Sequence, residues 1–143
     1  ASQMIKPLTS NAFTLGVVSM DAGHKNFVEE LTQLEALDDV QLSKSFSDWV
    51  KTVESDFYDE EKLMDDIDFP DTQAHIAQHA HILSVLHHAE PRVAEGDCAL
   101  AREIIGLIPE WFETHVSTMD RVLATAVLMA RDRTTTPFIL PSD

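Results

Sequence analysis

Residues 41–64 read QLSKSFSDWVKTVESDFYDEEKLM. Leu42, Phe46, Trp49, Val50, Val53, Phe57 and Met64 fall on one face of a helix, at the three- and four-residue steps of its period. Polar and charged residues fill the rest of the stretch. An amphipathic helix of this length buries its apolar stripe only against partners, so the remaining chain is read for them. Upstream, from about Asp21, Phe27, Leu31 and Leu34 repeat at helical spacing, and the pattern fades near Leu37-Asp38-Asp39. Downstream, residues 65–70 form a break, because Pro70 biases Phe69 away from helix and suits the first turn of a new one. This third helix is predicted over Asp71 to Ala89, with Ile76, Leu83 and Leu86 inward and Pro91 closing it. After a turn at Gly96-Asp97, a fourth covers Ala99 to Arg131, and Pro109 is expected to break or kink it after Ile108.

Four long amphipathic helices with short connections indicate an all-α, antiparallel four-helix bundle. The expected layout is a single domain over residues 1–143, with an N-terminal arm (1–19), a bundle (about 20–132) and a tail (133–143). At 143 residues the chain is long enough to bury a proper core, and only four glycines argue against a turn-rich β protein. Ten Lys plus Arg against 25 Asp plus Glu give a net charge of −15, which repels nucleic acid and anionic lipid. Bound cations would offset part of it. Cys98 is the only cysteine, which excludes a disulfide framework and a thiolate metal cluster. It reads as a loop or packing residue. No apolar run approaches the roughly 20 residues that cross a bilayer, and Ala1 to Asn11 lacks the apolar segment of a signal peptide. The expected location is the cytoplasm, with no nucleic-acid and no membrane partner.

The chemistry-bearing residues are spread over all four helices. His75-x-x-x-His79 places two imidazoles on one helical face, within reach of one metal ion. Asp56-x-x-x-Glu60 shares a stripe with the apolar Trp49 and Val53, where two acids need a cation or a hydrogen-bond partner. His115 and Asp120 are five apart, about 140° beyond a full turn of an α-helix. That separation does not suit one metal, but suits two side by side with Asp120 bridging. His24 opens the first helix. Nitrogen and carboxylate ligands without thiolate suit iron or manganese and admit zinc, and bundle cores house such di-metal sites. His81, His87 and His88 read as surface residues, and Trp49 and Trp111 as core anchors.

The runs Asp21-Ala22-Gly23-His24-Lys25, Asp56 to Met64, Phe69-Pro70 with His75-x-x-x-His79, and Trp111-Phe112-x-x-His115-x-x-x-x-Asp120 resemble the bacterial hemerythrin pattern of the HHE cation-binding family. The resemblance spans about residues 13–125. It implies a non-haem di-iron centre, two iron ions (Fe2+/Fe3+) with an oxo or hydroxo bridge. His75, His79 and His115 would bind one iron, Glu60 and Asp120 would bridge, and His24 would bind the second iron, which keeps a position open for dioxygen. Val116 and Phe57 would flank the dioxygen pocket, and Gly23 would open space beside His24.

One position departs from the family. Where it has a histidine four residues before the bridging glutamate, this chain has Asp56. As a ligand Asp56 would surround the second iron with three carboxylates, stabilise Fe(III) and work against reversible dioxygen carriage. Tyr58 is about 200° round the helix from Asp56 and ranks below it as a replacement. The function expected is therefore dioxygen binding shifted toward oxidase chemistry, with a small-molecule substrate and an electron donor. The alternative is a reversible dioxygen carrier or sensor. Dioxygen, or another small diatomic or oxidant, is the expected ligand.

Overall fold

The structure, a computed structural model, describes residues 13–135. The helices are α1 (Val18–Ala36), α2 (Asp39–Asp66), α3 (Thr72–Ala94), α4 (Ala99–His115) and α5 (Arg121–Thr135). A π-helical segment, Val116–Asp120, joins α4 to α5, so these three form one continuous fourth rod. The described residues contain no strand, and none of their helices is long and apolar enough to cross a membrane.

Short connections force neighbouring helices to run antiparallel. Only Leu37 and Asp38 separate α1 from α2. Asp38 caps α2 by accepting from the Gln41 amide at 2.8 Å, and the Gln41 side chain accepts from the Asp38 amide at 3.2 Å. This reciprocal pair satisfies two otherwise orphaned donors. Between α3 and α4 the chain turns at Gly96, whose φ of +93° is open to glycine at little cost.

Two prolines behave differently from the sequence expectation. Pro91 does not close α3, which continues to Ala94. Ala89 and Val93 hold this last turn against the core, and the Arg92 and Val93 carbonyls accept from the Asp97 and Gly96 amides at 2.9 Å. Nor does Pro109 break α4. Ala101, Ile104, Ile105, Ile108 and Phe112 form one buried stripe that runs past it. Each large apolar side chain contributes about 1.5–3 kcal/mol on burial, which together outweighs the roughly 3 kcal/mol cost of an interior proline. The rod also extends past the expected end at Arg131, through Thr135. In α3 the inward face is His75, His79, Ile82, Leu86, Ala89 and Val93, so Ile76 and Leu83 sit half-buried at its flanks.

The core is two apolar clusters. The larger includes Phe27, Leu31, Phe46, Val53, Phe57, Ile82, Leu86, Phe112 and Val116. The smaller gathers Met20, Met64, Phe69, Leu123 and Val127. On each rod the candidate ligands fall between members of the two clusters: His24 between Met20 and Phe27, Glu60 between Phe57 and Met64, His75 and His79 between Phe69 and Ile82, Asp120 between Val116 and Leu123. They make a polar layer between two apolar ones.

Candidate metal centre

Glu60, His75, His79, His115 and Asp120 each offer one ligand atom, and these atoms all lie within 4.8 Å of one another. Each arrives there by the helical period: Glu60 from α2, His75 and His79 one turn apart on α3, His115 from the end of α4. The α-helical period would turn Asp120 away from His115. The π segment overturns that expectation, because its turn is wider and closes with an Arg121 amide to Val116 carbonyl bond. Asp120 Oδ1 consequently stands 3.1 Å from His115 Nε2. The Thr114 carbonyl, at the start of the irregular turn, accepts from the Thr118 hydroxyl at 2.6 Å and from Ser117 at 3.3 Å.

His24 joins from α1, with Nε2 2.9 Å from Asp120 Oδ2 and 3.8 Å from Glu60 Oε2. The two carboxylates thus lie between His24 on one side and the three other histidines on the opposite side. Glu60 Oε1 is 2.6 Å from His75 Nε2 and 3.0 Å from His79 Nε2, while Asp120 Oδ1 is 2.9 Å from His75 Nε2.

Outer partners decide the tautomers. His24 Nδ1 donates to the Phe13 carbonyl at 3.1 Å, His79 Nδ1 to Glu61 Oε2 at 3.0 Å, and His115 Nδ1 to Gln78 Oε1 at 2.9 Å. Each acceptor holds the proton on Nδ1 and turns the Nε2 lone pair inward, as metal-binding imidazoles require. An aromatic neighbour holds the plane of each of these three rings as well. Phe57 lies over His79 (4.0 Å between centroids, 3°), Trp111 over His115 (4.8 Å, 14°), and the Phe112 ring meets His24 edge-on (5.6 Å, 81°). Trp111 therefore orients His115, where the sequence suggested a core anchor alone.

This geometry fits a cation. With Nδ1 protonated on both rings, His79 and His115 point lone pairs at each other across 3.3 Å, and only a proton or a metal ion between them relieves that. Asp120 Oδ1 is buried close to two ring nitrogens yet makes no aligned hydrogen bond. Among the described residues this arrangement without a cation must hold protons instead. Burial disfavours the imidazolium of His24, but the Asp120 and Glu60 carboxylates outweigh it and raise its pKa to about 10. The same balance raises His75 to about 9 and pushes His115 up. Burial works against the charged form of Glu60, yet the surrounding imidazoles of His115, His24, His75 and His79 hold it well below the usual carboxylate range.

Asp56 comes to the same region without touching the cluster. Half-buried on α2, it lines a cavity of about 260 Å³ with His24, Glu60, His115 and Asp120, and its Oδ2 is buried with no hydrogen-bond partner. Burial, then the charges of Glu30, Asp59 and Glu60, raise its pKa to about 6 against the opposing pull of His24. Phe57 lines this cavity too, whereas Val116 lies in the larger apolar cluster and is not among the lining residues. Tyr58, 66% exposed, faces away. His81, His87 and His88 are exposed, His87 pairing with Glu54 at 3.1 Å and with Glu90. Cys98 is buried beside Ser43 and the Asp39 carbonyl. The acceptors Glu61, Gln78 and the Phe13 carbonyl were not legible from spacing. Adjacency to Glu60 and to His79 is the only sequence signal that Glu61 and Gln78 carry.

The Hemerythrin HHE cation binding domain profile matches residues 15–127. A bacteriohemerythrin from Ralstonia nicotianae is 31% identical over 116 residues, covering 81% of this chain and 85% of that protein. Crystal structures of two hemerythrin mutants superpose with a TM-score of 0.76 at 18% and 19% identity, each covering 87% of this chain and 98% of the other. Those two show the shared fold. Profile and relative together with the His/Glu/Asp cluster make this a metal-binding bundle, and the chain belongs to the hemerythrin HHE cation-binding family.

Proposed function

We propose that the chain holds two non-haem iron ions and binds dioxygen, with Asp56 moving the site from carriage toward oxidation. In this reading His75, His79 and His115 bind one iron, Glu60 and Asp120 bridge, and His24 with Asp56 binds the second. The observation that carries it is the buried, unpartnered Asp56 carboxylate oxygen on the cavity that His24, Glu60 and Asp120 also line. Bound iron would supply dioxygen binding and electrons for its reduction.

The chain's own residues set the conditions. Glu61, Gln78 and the Phe13 carbonyl orient the imidazoles, and Phe27, Phe57 and Phe112 keep the cavity wall apolar. Three carboxylates around one iron favour its ferric state, since added negative charge stabilises the higher cation charge. Turnover would require an electron donor and a small-molecule substrate. The second reading, a reversible carrier or sensor, draws support from the aromatic wall, whose apolar surface offers a bound gas no proton donor.

Anaerobic reconstitution with Fe(II), an iron count, and visible spectra as air is admitted test the proposal. Two irons per chain with a transient band and irreversible conversion to a ferric product is the expected result. A lasting band that vanishes under vacuum would favour the carrier, and failure to retain two irons would refute the di-iron assignment.

A further inference from the structure

The cavity beside Asp56 is far larger than a diatomic gas needs. Its volume of about 260 Å³ exceeds the roughly 150 Å³ in which an apolar protein cavity holds benzene. Its wall is made by Met20, Phe27, Phe57, Leu63 and Phe112, three of them aromatic. Of its polar lining, Ser19, Asp59 and Lys62 are exposed and mark a mouth between α1 and α2, while His24, Asp56, Glu60, His115 and Asp120 mark an inner end at the ligand cluster. Gly23 lies on the same wall, and a Cβ built there meets nothing within 4 Å, so the absent side chain leaves space. At the inner end the Asp56 Oδ2 atom is buried and accepts no hydrogen bond.

From these features we propose that the cavity binds a single-ring aromatic molecule bearing one hydrogen-bond donor, of the phenol or aniline class, with the donor on Asp56. The aromatic wall stacks against the ring or meets it edge-on, and the carboxylate takes the donor that it otherwise lacks. The proposal deepens the reading above by naming what reaches the centre, and rests on it in placing iron at the inner end, with Asp56 holding the metal through one carboxylate oxygen and keeping the buried Oδ2 for the donor.

Titration calorimetry of the iron-loaded protein with phenol and toluene tests it. Phenol is expected to saturate one site per chain, and toluene to bind about tenfold more weakly for want of the hydrogen bond to a charged acceptor. Gly23→Leu, which fills open space on a helix, should weaken phenol and toluene at least about tenfold while iron content and melting temperature stay unchanged. If that variant loses helicity, Ser19→Trp at the exposed mouth takes its place. Toluene cannot ligate iron, so its loss in the variant reads the cavity alone. Absence of saturable phenol binding, toluene binding as tight as phenol, or equal affinity in the blocked variant would each overturn the proposal. Phenol and toluene titrating into protein that fails to load two irons would refute the iron reading and leave this one standing.

Discussion

Asp56 is the single residue on which the proposed shift from carriage toward oxidation turns. An imidazole there would leave the second metal with one charge fewer, so Asp56→His should slow the conversion of Fe(II)-loaded protein to its ferric form in air. Stopped-flow absorbance measures that rate, and an unchanged rate would show that Asp56 does not set the preference. Glu61 acts one atom further out. It accepts from His79 Nδ1 at 3.0 Å and keeps the opposite nitrogen free for metal. Loss of such a partner typically costs 10–100-fold in metal affinity, and Glu61→Ala should fall about in that range in chelator competition. Ligand candidates were legible in the sequence because chemistry and helical phase coincide at them: His75 and His79 share a face, and Glu60 shares one with Trp49 and Val53. Glu61 and Gln78 were not, since a polar residue on a bundle surface looks alike whether it faces water or a neighbouring imidazole.

At the scale of an element, the π segment does what no residue identity announces. Five α-helical steps separate His115 from Asp120 by about 140°, and the wide turn over Val116–Asp120 brings them to 3.1 Å. The sequence expectation that a proline would disturb this rod placed the irregularity at Pro109, but a buried stripe from Ala101 to Phe112 holds that part straight. Periodicity reads apolar faces well and inserted residues poorly, because one extra residue alters phase without altering composition. Deleting Ser117 should restore the α-helical register and swing Asp120 by about 100° off the cluster. Helix content in circular dichroism should persist while metal capacity falls; retained capacity would show that Asp120 reaches the site by another route. Removing only the Thr118 hydroxyl is milder. Thr118→Val should cost about 1 kcal/mol in denaturant unfolding, the worth of one hydrogen bond to the Thr114 carbonyl.

Across the whole molecule, a polar layer is held between two apolar clusters, and its buried charges are tolerable only when neutralised from within. Protons and metal ions are competitors for that task, which gives the metal-free and metal-loaded forms different responses to pH. In the metal-free fold His24 and His75 are raised from 6.5 to about 10 and about 9. Their contribution is fully present below pH 6.5 and is lost as pH climbs through those folded values. Glu60 and Asp120 shift the other way, lowered from 4.5 and 3.8, so their contribution is present above those values and lost as pH falls through the folded ones. The metal-free chain should therefore be most stable between about pH 4.5 and 6.5 and weaken toward pH 9. Metal binds the deprotonated imidazoles and displaces their protons, so its hold strengthens over the same rise. The gap in melting temperature between loaded and metal-free protein should widen steadily from pH 6.5 to 9. Because all 25 acids and ten bases are common to both forms, the difference cancels their background and isolates the cluster. Calorimetric melting of the two forms at matched pH checks this, and a gap that stayed constant or narrowed would mean that these histidines do not exchange protons for metal.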